Sequence, residues 1–227
     1  MSEQIHPGEG GGYGFPTLAL GEACLLPQGI GLWVAPLEEE VNSNSGPALS
    51  PRENTQWQAL SHPRRRLEWK QSRQMAKGLL SKTLGGPAES FELLSQEEGP
   101  PLVLRGGEVW AEGQLSISHT PCYVGVAFAP FPVGLDICDK ADEARIGRIA
   151  HRAFSEAERA LCGACPQGPA ALWALKEAAL KMQGGGVFRP GLASISVHQL
   201  CPPLLNSPRA KAQLYALPLA YVALVFG

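Results

Sequence analysis

Two segments of the chain combine residue types that handle phosphate and divalent cations. One is Val133-Gly134-Leu135-Asp136-Ile137-Cys138, an apolar run that closes on a carboxylate. A carboxylate at the end of a buried strand needs a partner or a metal to offset its desolvation; capping a turn is the plainer use of an Asp there. Gly134 permits close backbone approach. The other segment is Trp173-Ala174-Leu175-Lys176-Glu177-Ala178-Ala179-Leu180-Lys181. Helical spacing puts Trp173, Glu177 and Lys181 on one face, with Lys176 one step round. Glu177 and Lys181 also have the i,i+4 order of an ordinary surface ion pair, so spacing alone leaves both readings open. If the segments meet, Asp136 and Glu177 match the one or two carboxylates that magnesium takes alongside phosphate and water.

Two further features carry charge of the right sign. His119 closes Ser116-Ile117-Ser118-His119 just before Pro121, and a His there can hold a phosphate as cation or hydrogen-bond donor. Seven of the nineteen basic residues (Arg64, Arg65, Arg66, Lys70, Arg73, Lys77, Lys82) fall between Ser61 and Lys82, with Glu68 as the only acid. Such a run is commonly a solvated helix face; an anion site is the sharper alternative.

The elements that must position these residues follow from pattern and punctuation. Thr17–Leu26 and Ile30–Leu37 read as strands around Pro27-Gln28-Gly29, and Glu38–Arg52 as a surface loop. Arg64–Leu84 is predicted helical and stops at Gly85-Gly86-Pro87. Strands are expected at Leu115–His119, Tyr123–Ala129 and Val133–Cys138, with a stiff break at Pro130–Pro132. Glu143–Ala153 reads as a helix. Ser155 and Glu158 form a capping-box signature for the next one. Gly168-Pro169 opens a third, which ends at Gly184-Gly185-Gly186. Strands near Ile195–His198, Gln213–Leu217 and Ala220–Phe226 complete the chain. Antiparallel-looking strands with interspersed helices favour α+β over a doubly wound sheet. The best internal boundary is Pro130–Pro132, giving lobes 1–130 and 131–227, with 1–14 as a loose tail.

Composition excludes several classes. A net charge of −2 gives no global attraction to nucleic acid or anionic membrane. The uncharged run Ala212–Gly227 is too short for a spanning helix and is interrupted by Pro218. No basic n-region and apolar h-region open the chain, so a cytoplasmic location and reduced cysteines are expected. Cys162-Gly163-Ala164-Cys165 lacks the second ligand pair that structural zinc needs. Gly184-Gly185-Gly186 follows a helix, whereas a phosphate loop precedes one.

Taken in order, Ser116-Ile117-Ser118-His119, Gly134-x-Asp136, Phe154-Ser155-x-x-Glu158 and Trp173-x-x-Lys176-Glu177-Ala178-x-x-Lys181 resemble the 4′-phosphopantetheinyl transferases. The likeness is closest to the two-lobed, surfactin-synthetase-activator type. It runs from about Ser116 to Phe188, with a looser likeness over His62–Leu80. The resemblance implies a monomer of two similar α+β lobes related by a pseudo-twofold axis, with coenzyme A bound between them. It implies a phosphopantetheine transfer to a serine of an acyl or peptidyl carrier protein, with release of 3′,5′-ADP. Asp136 and Glu177 would be magnesium ligands and Glu177 the base. Lys181 would bind the pyrophosphate with Lys176 nearby, His119 would contact the 3′-phosphate end, and Arg65, Arg66 and Arg73 the nucleotide phosphates. Two departures stand out. Cys138 replaces the Glu of the usual Gly-x-Asp-x-Glu, and Gly99-Pro100-Pro101 lacks the Lys of the usual Gly-Lys-Pro. The first keeps open a second reading: a family member that binds coenzyme A or carrier protein without efficient transfer.

Overall fold

Frequent Gly and Pro turns cut the chain into short strands that pair back on one another, and the few long apolar stripes become helices laid across them. The computed structural model describes residues 15–38, 46–97, 99–164, 168–184 and 191–227. The expected tail 1–14, part of the expected loop at 38–52, Cys165 and Gly185-Gly186 lie outside the described residues. The strands are β1 (Cys24–Leu26), β2 (Ile30–Pro36), β3 (Phe91–Leu94), β4 (Leu102–Arg105), β5 (Glu108–Val109), β6 (Gln114–His119), β7 (Tyr123–Ala129), β8 (Val133–Asp139), β9 (Val197–Leu200), β10 (Pro203–Leu205), β11 (Lys211–Ala216) and β12 (Ala220–Phe226). The helices are α1 (Pro51–Ala59), α2 (Pro63–Leu84), α3 (Glu143–Ala153), α4 (Glu156–Ala164) and α5 (Gly168–Met182).

The fold is α+β, and every strand ladder is antiparallel. One sheet runs β1-β2-β7-β6 and another β11-β12-β8; β3-β4-β5 and β10-β9 form small separate sheets. The layers stack helix, sheet, sheet, helix. Met75, Leu79 and Leu80 of α2 pack on Val124, Val126 and Phe128. The alternate residues of the same strands, such as Leu32 and Ala127, meet Leu135, Ile137, Val222 and Leu224 across the two sheets. Leu172, Leu175 and Ala179 of α5 cover Ala223 and Val225 on the far side. Strands covered on both faces read as continuous apolar runs, which is why β7, β8 and β12 are buried throughout.

Strand alternation then fixes what β8 shows to α5. Val133, Leu135 and Ile137 face the other sheet, so Gly134, Asp136 and Cys138 face the helix. A Cβ on Gly134 would overlap the Ala178 carbonyl oxygen and lie 2.5 Å from the Met182 nitrogen. The strand therefore abuts the helix backbone itself, one residue from Glu177 and Lys181. Gly134→Ala is expected to destabilise the protein by about 1–3 kcal/mol or more, since a backbone cannot step aside as a side chain does. An unchanged denaturation midpoint would show that α5 sits farther from β8.

The two halves repeat one plan. The order β2–α1–α2–β3–β4–β6–β7 is answered by β8–α4–α5–β9–β10–β11–β12, and sheet order β2-β7-β6 by β8-β12-β11. The repeat extends to side chains. At the start of α1, Ser50 and Glu53 form a reciprocal capping box. Glu53 also accepts from Lys77 of α2 at 2.6 Å and from the Leu93 N–H of β3 at 2.8 Å. At the start of α4, Ser155 and Glu158 exchange the same two bonds. Glu158 accepts from Lys176 of α5 at 2.7 and 2.8 Å and from the Val197 N–H of β9 at 2.9 Å. Each lobe thus clasps its short helix, long helix and following strand through one buried carboxylate.

Several local expectations change. Only Cys24–Leu26 of the expected first strand is a strand; Gly21 turns the chain at φ 91°, and Thr17 instead bridges Ala216. Helix α1 begins inside the segment read as loop. β3, β4, β5 and β10 were not foreseen, being two to four residues long and without clear alternation.

Candidate active site

The seam between the lobes is where the expected residues collect. β6 and β8 are edge strands of different sheets, and side chains rather than backbone join them. Gln114, Ser116 and Ser118 alternate onto one face of β6. Gln114 Nε2 donates to the Val133 carbonyl at 2.8 Å and the Lys181 carbonyl at 2.9 Å. Ser116 Oγ accepts from the Leu135 N–H at 2.9 Å, and Ser118 Oγ from the Ile137 N–H at 3.1 Å. Ser118 Oγ then donates to Asp136 Oδ1 at 2.9 Å. The Ser-x-Ser spacing thereby satisfies the edge of β8 that no strand pairs, and orients its carboxylate.

Lys181 reaches into the same seam. Its Nζ donates to Asp136 Oδ1 at 2.7 Å, to the Leu135 carbonyl of β8 at 3.1 Å and to the Ile117 carbonyl of β6 at 3.4 Å. Both described bonds to the Asp136 carboxylate land on Oδ1. Between Gly168 and Lys181 of α5, Pro169, Trp173, Glu177 and Lys181 are the partly exposed positions, and the others are buried. Their spacing of four makes one stripe along the cleft. Trp173 is held edge-on against Phe154 at a ring separation of 6.4 Å.

Two cavities flank Lys181. One, of about 300 Å³, is lined by Asp136, Cys138, Asp139, Trp173 and Glu177 among others. The other, of about 260 Å³, is lined by Arg65, Glu68, Trp69, Arg73, Ser95 and Gly99-Pro100-Pro101 among others. His119 and Lys181 line both. His119 Nδ1 lies 3.5 Å from Glu68 Oε2. Burial lowers the imidazole below its ordinary value; Glu68 and Asp136 oppose that, Arg65 and Lys181 reinforce it. The ring therefore offers a neutral hydrogen bond near pH 7 rather than a cation. Arg73 is buried, stacked on Trp69 with its guanidinium carbon 4.4 Å from the ring centre. Burial pulls it down to about 10, against the pull of Glu53 in the other direction.

Cys138 points the same way as Asp136 but offers nothing to a hard cation. Burial first, then Asp136, Asp142 and Asp139, push its thiol up to about 12. A neutral thiol is not a magnesium ligand. Among the described residues no group of three His, Cys, Asp or Glu side chains converges as a metal cage. The pair Asp136 and Glu177 suits a cation that takes most of its oxygens from phosphate and water.

Two expected anion contacts are corrected. Lys176 is fully buried, and its ammonium is held by both oxygens of Glu158 on the side of α5 turned from the cleft. Being one helical step from Glu177 carried it into the core rather than along the stripe. Arg66 donates to the Leu60 and Gln58 carbonyls and lies over Trp57, so it fastens α1 to α2. Arg65 and Arg73 do line the basic cavity. Asp139, which sequence reasoning passed over, is buried in the acidic cavity; burial raises its carboxyl while the Thr120 hydroxyl opposes that, and Oδ1 has no partner among the described residues. Its signal was faint, because strand alternation sends residue 139 away from Asp136 until the strand ends.

No helix among the described residues is long and apolar enough to cross a membrane. No curated protein matches the chain. Residues 132–215, less than half of the chain but the part that carries Asp136, Cys138, Glu158, Glu177 and Lys181, match the model of the 4′-phosphopantetheinyl transferase superfamily.

Proposed function

We propose that the protein transfers the 4′-phosphopantetheine group of coenzyme A to a serine of an acyl or peptidyl carrier protein. The observation that carries this reading is a pair of cavities that share Lys181 and His119 in their walls. An acidic one with Asp136 and Glu177 meets a basic one with Arg65 and Arg73, and Lys181 and His119 stand at the junction. That sequence of charges suits a dinucleotide-like substrate whose pyrophosphate must lie at a carboxylate pair. The repeat of one plan in two halves supports the two-lobed, surfactin-synthetase-activator type of that superfamily.

In this reading Arg65, Arg73 and His119 hold the phosphates of the nucleotide end. Lys181 leaves Asp136 for the pyrophosphate and stabilises charge on the departing 3′,5′-ADP. Glu177 removes the proton from the carrier serine, whose oxygen attacks the β-phosphate as the bond to the α-phosphate oxygen breaks. Magnesium, held by Asp136 and Glu177, would neutralise the pyrophosphate. Trp173 walls the acidic cavity beside the acceptor.

The test combines the protein with apo carrier protein, coenzyme A and magnesium, and looks by mass spectrometry for the added phosphopantetheine. Cys138 favours one second reading, a binding protein with weakened chemistry; coenzyme A bound without transfer to several carrier proteins would establish it. Cys138→Glu is expected to raise the magnesium affinity of the coenzyme A complex by about tenfold, having supplied a further carboxylate oxygen. An unaltered magnesium titration would put position 138 outside the metal's reach.

A further inference from the structure

The first lobe's clasp continues past its buried carboxylate to the wall of the basic cavity. Gln56 lies one turn along α1 from Glu53. Its Oε1 accepts from the Ser95 N–H at 2.9 Å, and its Nε2 donates to the Ser95 carbonyl at 3.2 Å. Ser95 follows directly on β3, the strand that Glu53 pins at Leu93. Both backbone polar groups of Ser95 are thus fixed by one side chain, as a neighbouring strand would fix them. The Ser95 hydroxyl accepts from Arg73 Nη2 at 2.8 Å and from Trp69 Nε1 at 3.1 Å. Those are the guanidinium and the ring that stack on each other in the cavity wall. Ser72 Oγ holds Arg73 Nη1 at 3.3 Å, while Arg73 Nε, also buried, has no partner among the described residues. The carboxylate that acts on this guanidinium, Glu53, is already committed to Lys77 at 2.6 Å. A buried cation aimed by neutral hydroxyls and short of countercharge is the complement of an anion.

We propose that Gln56 and Ser95 are positioning residues for anion binding: α1 locks Ser95 through Gln56, and the Ser95 hydroxyl aims Arg73 into the basic cavity. The identity of the anion as the nucleotide end of coenzyme A rests on the transferase reading; the aiming of Arg73 does not. Gln56 is not among the residues lining the cavity, and the Ser95 hydroxyl in its wall accepts from Arg73 and Trp69. Loss of Gln56 or Ser95 should weaken ligand capture and leave the chemical step alone. Gln56 is half-buried and Ser95 exposed, so their replacement leaves the clasp and core intact.

The experiment titrates wild type, Gln56→Ala, Ser95→Ala and Ser95→Thr with adenosine 3′,5′-bisphosphate by calorimetry, and follows transfer from coenzyme A in parallel. The two alanine variants are expected to raise the bisphosphate Kd and the coenzyme A KM by about tenfold while kcat moves less than about twofold. Ser95→Thr, which keeps the hydroxyl, is expected to restore wild-type binding. Equal Kd values in all four proteins would overturn the proposal while leaving transfer standing. Weakened bisphosphate binding in a protein that transfers nothing would support the positioning role and reject the transferase reading. A wild type that binds neither compound would reject both.

Discussion

Glu158→Ala is expected to cost the fold about 3–5 kcal/mol, the usual penalty for leaving a buried charge without its partner. Lys176 is 0% exposed and Glu158 is its counter-ion. The same substitution strands the Val197 N–H and removes one half of the cap on α4. Because α5 carries Glu177 and Lys181 on the turn beyond Lys176, the loss will reach the cleft as well. Glu53→Ala should cost a similar amount in the other lobe, and the two should add, having no partner in common. Urea denaturation measures both. Replacing Glu158 and Lys176 together by uncharged residues is expected to recover much of the loss, since apolar pairs often match buried ion pairs; a double variant no better than Glu158→Ala would show that the ion pair is not the cause. The clasp is also acid-sensitive. Burial would raise the Glu158 carboxyl, but Lys176 and the Ser155 and Val197 N–H groups hold it below the ordinary carboxylate value. Its folded-state pKa is depressed, so this contribution is complete above about pH 4.5 and is lost as pH falls through the lower, folded value. Glu158→Gln should flatten that part of the acid unfolding curve.

Glu177→Gln is expected to slow transfer by about 10²–10⁴-fold, the range for loss of a positioned general base. Asp136→Asn should cost about 10²–10³-fold through lost electrostatic stabilisation. Both changes preserve shape. In Asp136→Asn the amide oxygen can still accept from Ser118, and Lys181 keeps the Leu135 and Ile117 carbonyls, so melting temperatures should move little. Initial rates with saturating coenzyme A and carrier protein decide the matter. A rate within about twofold of wild type for either variant would remove that residue from the chemistry.

Much of this was legible beforehand where one short-range rule governed. β7 and α3 occupy the spans that apolar pattern and turn residues gave them, and the Ser155/Glu158 signature is a real capping box. The α5 stripe follows from spacing of four. The misses came from long-range partners. Ser50-Pro51-Arg52-Glu53 carries the same box as Ser155–Glu158, with Pro at the first helical position, but it lay in a segment whose polar composition read as loop. Lys176 and Arg66 have the right charge for phosphate, yet which side of a helix faces the core depends on Glu158 and Trp57, which lie elsewhere in the chain. Ser95 and Gln56 gave no signal at all, since their importance comes only from what they bond to. The pairing of Lys181 with Asp136 required knowing that β8 is an edge strand.

The serines and glutamine between β6 and β8 act as spacers. Main-chain pairing would have drawn those two edges to about 4.8 Å and merged both sheets into one continuous surface. Hydroxymethyl and amide groups set a wider gauge instead, and that gauge admits an ammonium between the Ile117 and Leu135 carbonyls. Those two peptide oxygens can accept from an ammonium and have no hydrogen to offer a phosphate. The length of a serine side chain thus sets the width of the gap that the Lys181 ammonium enters.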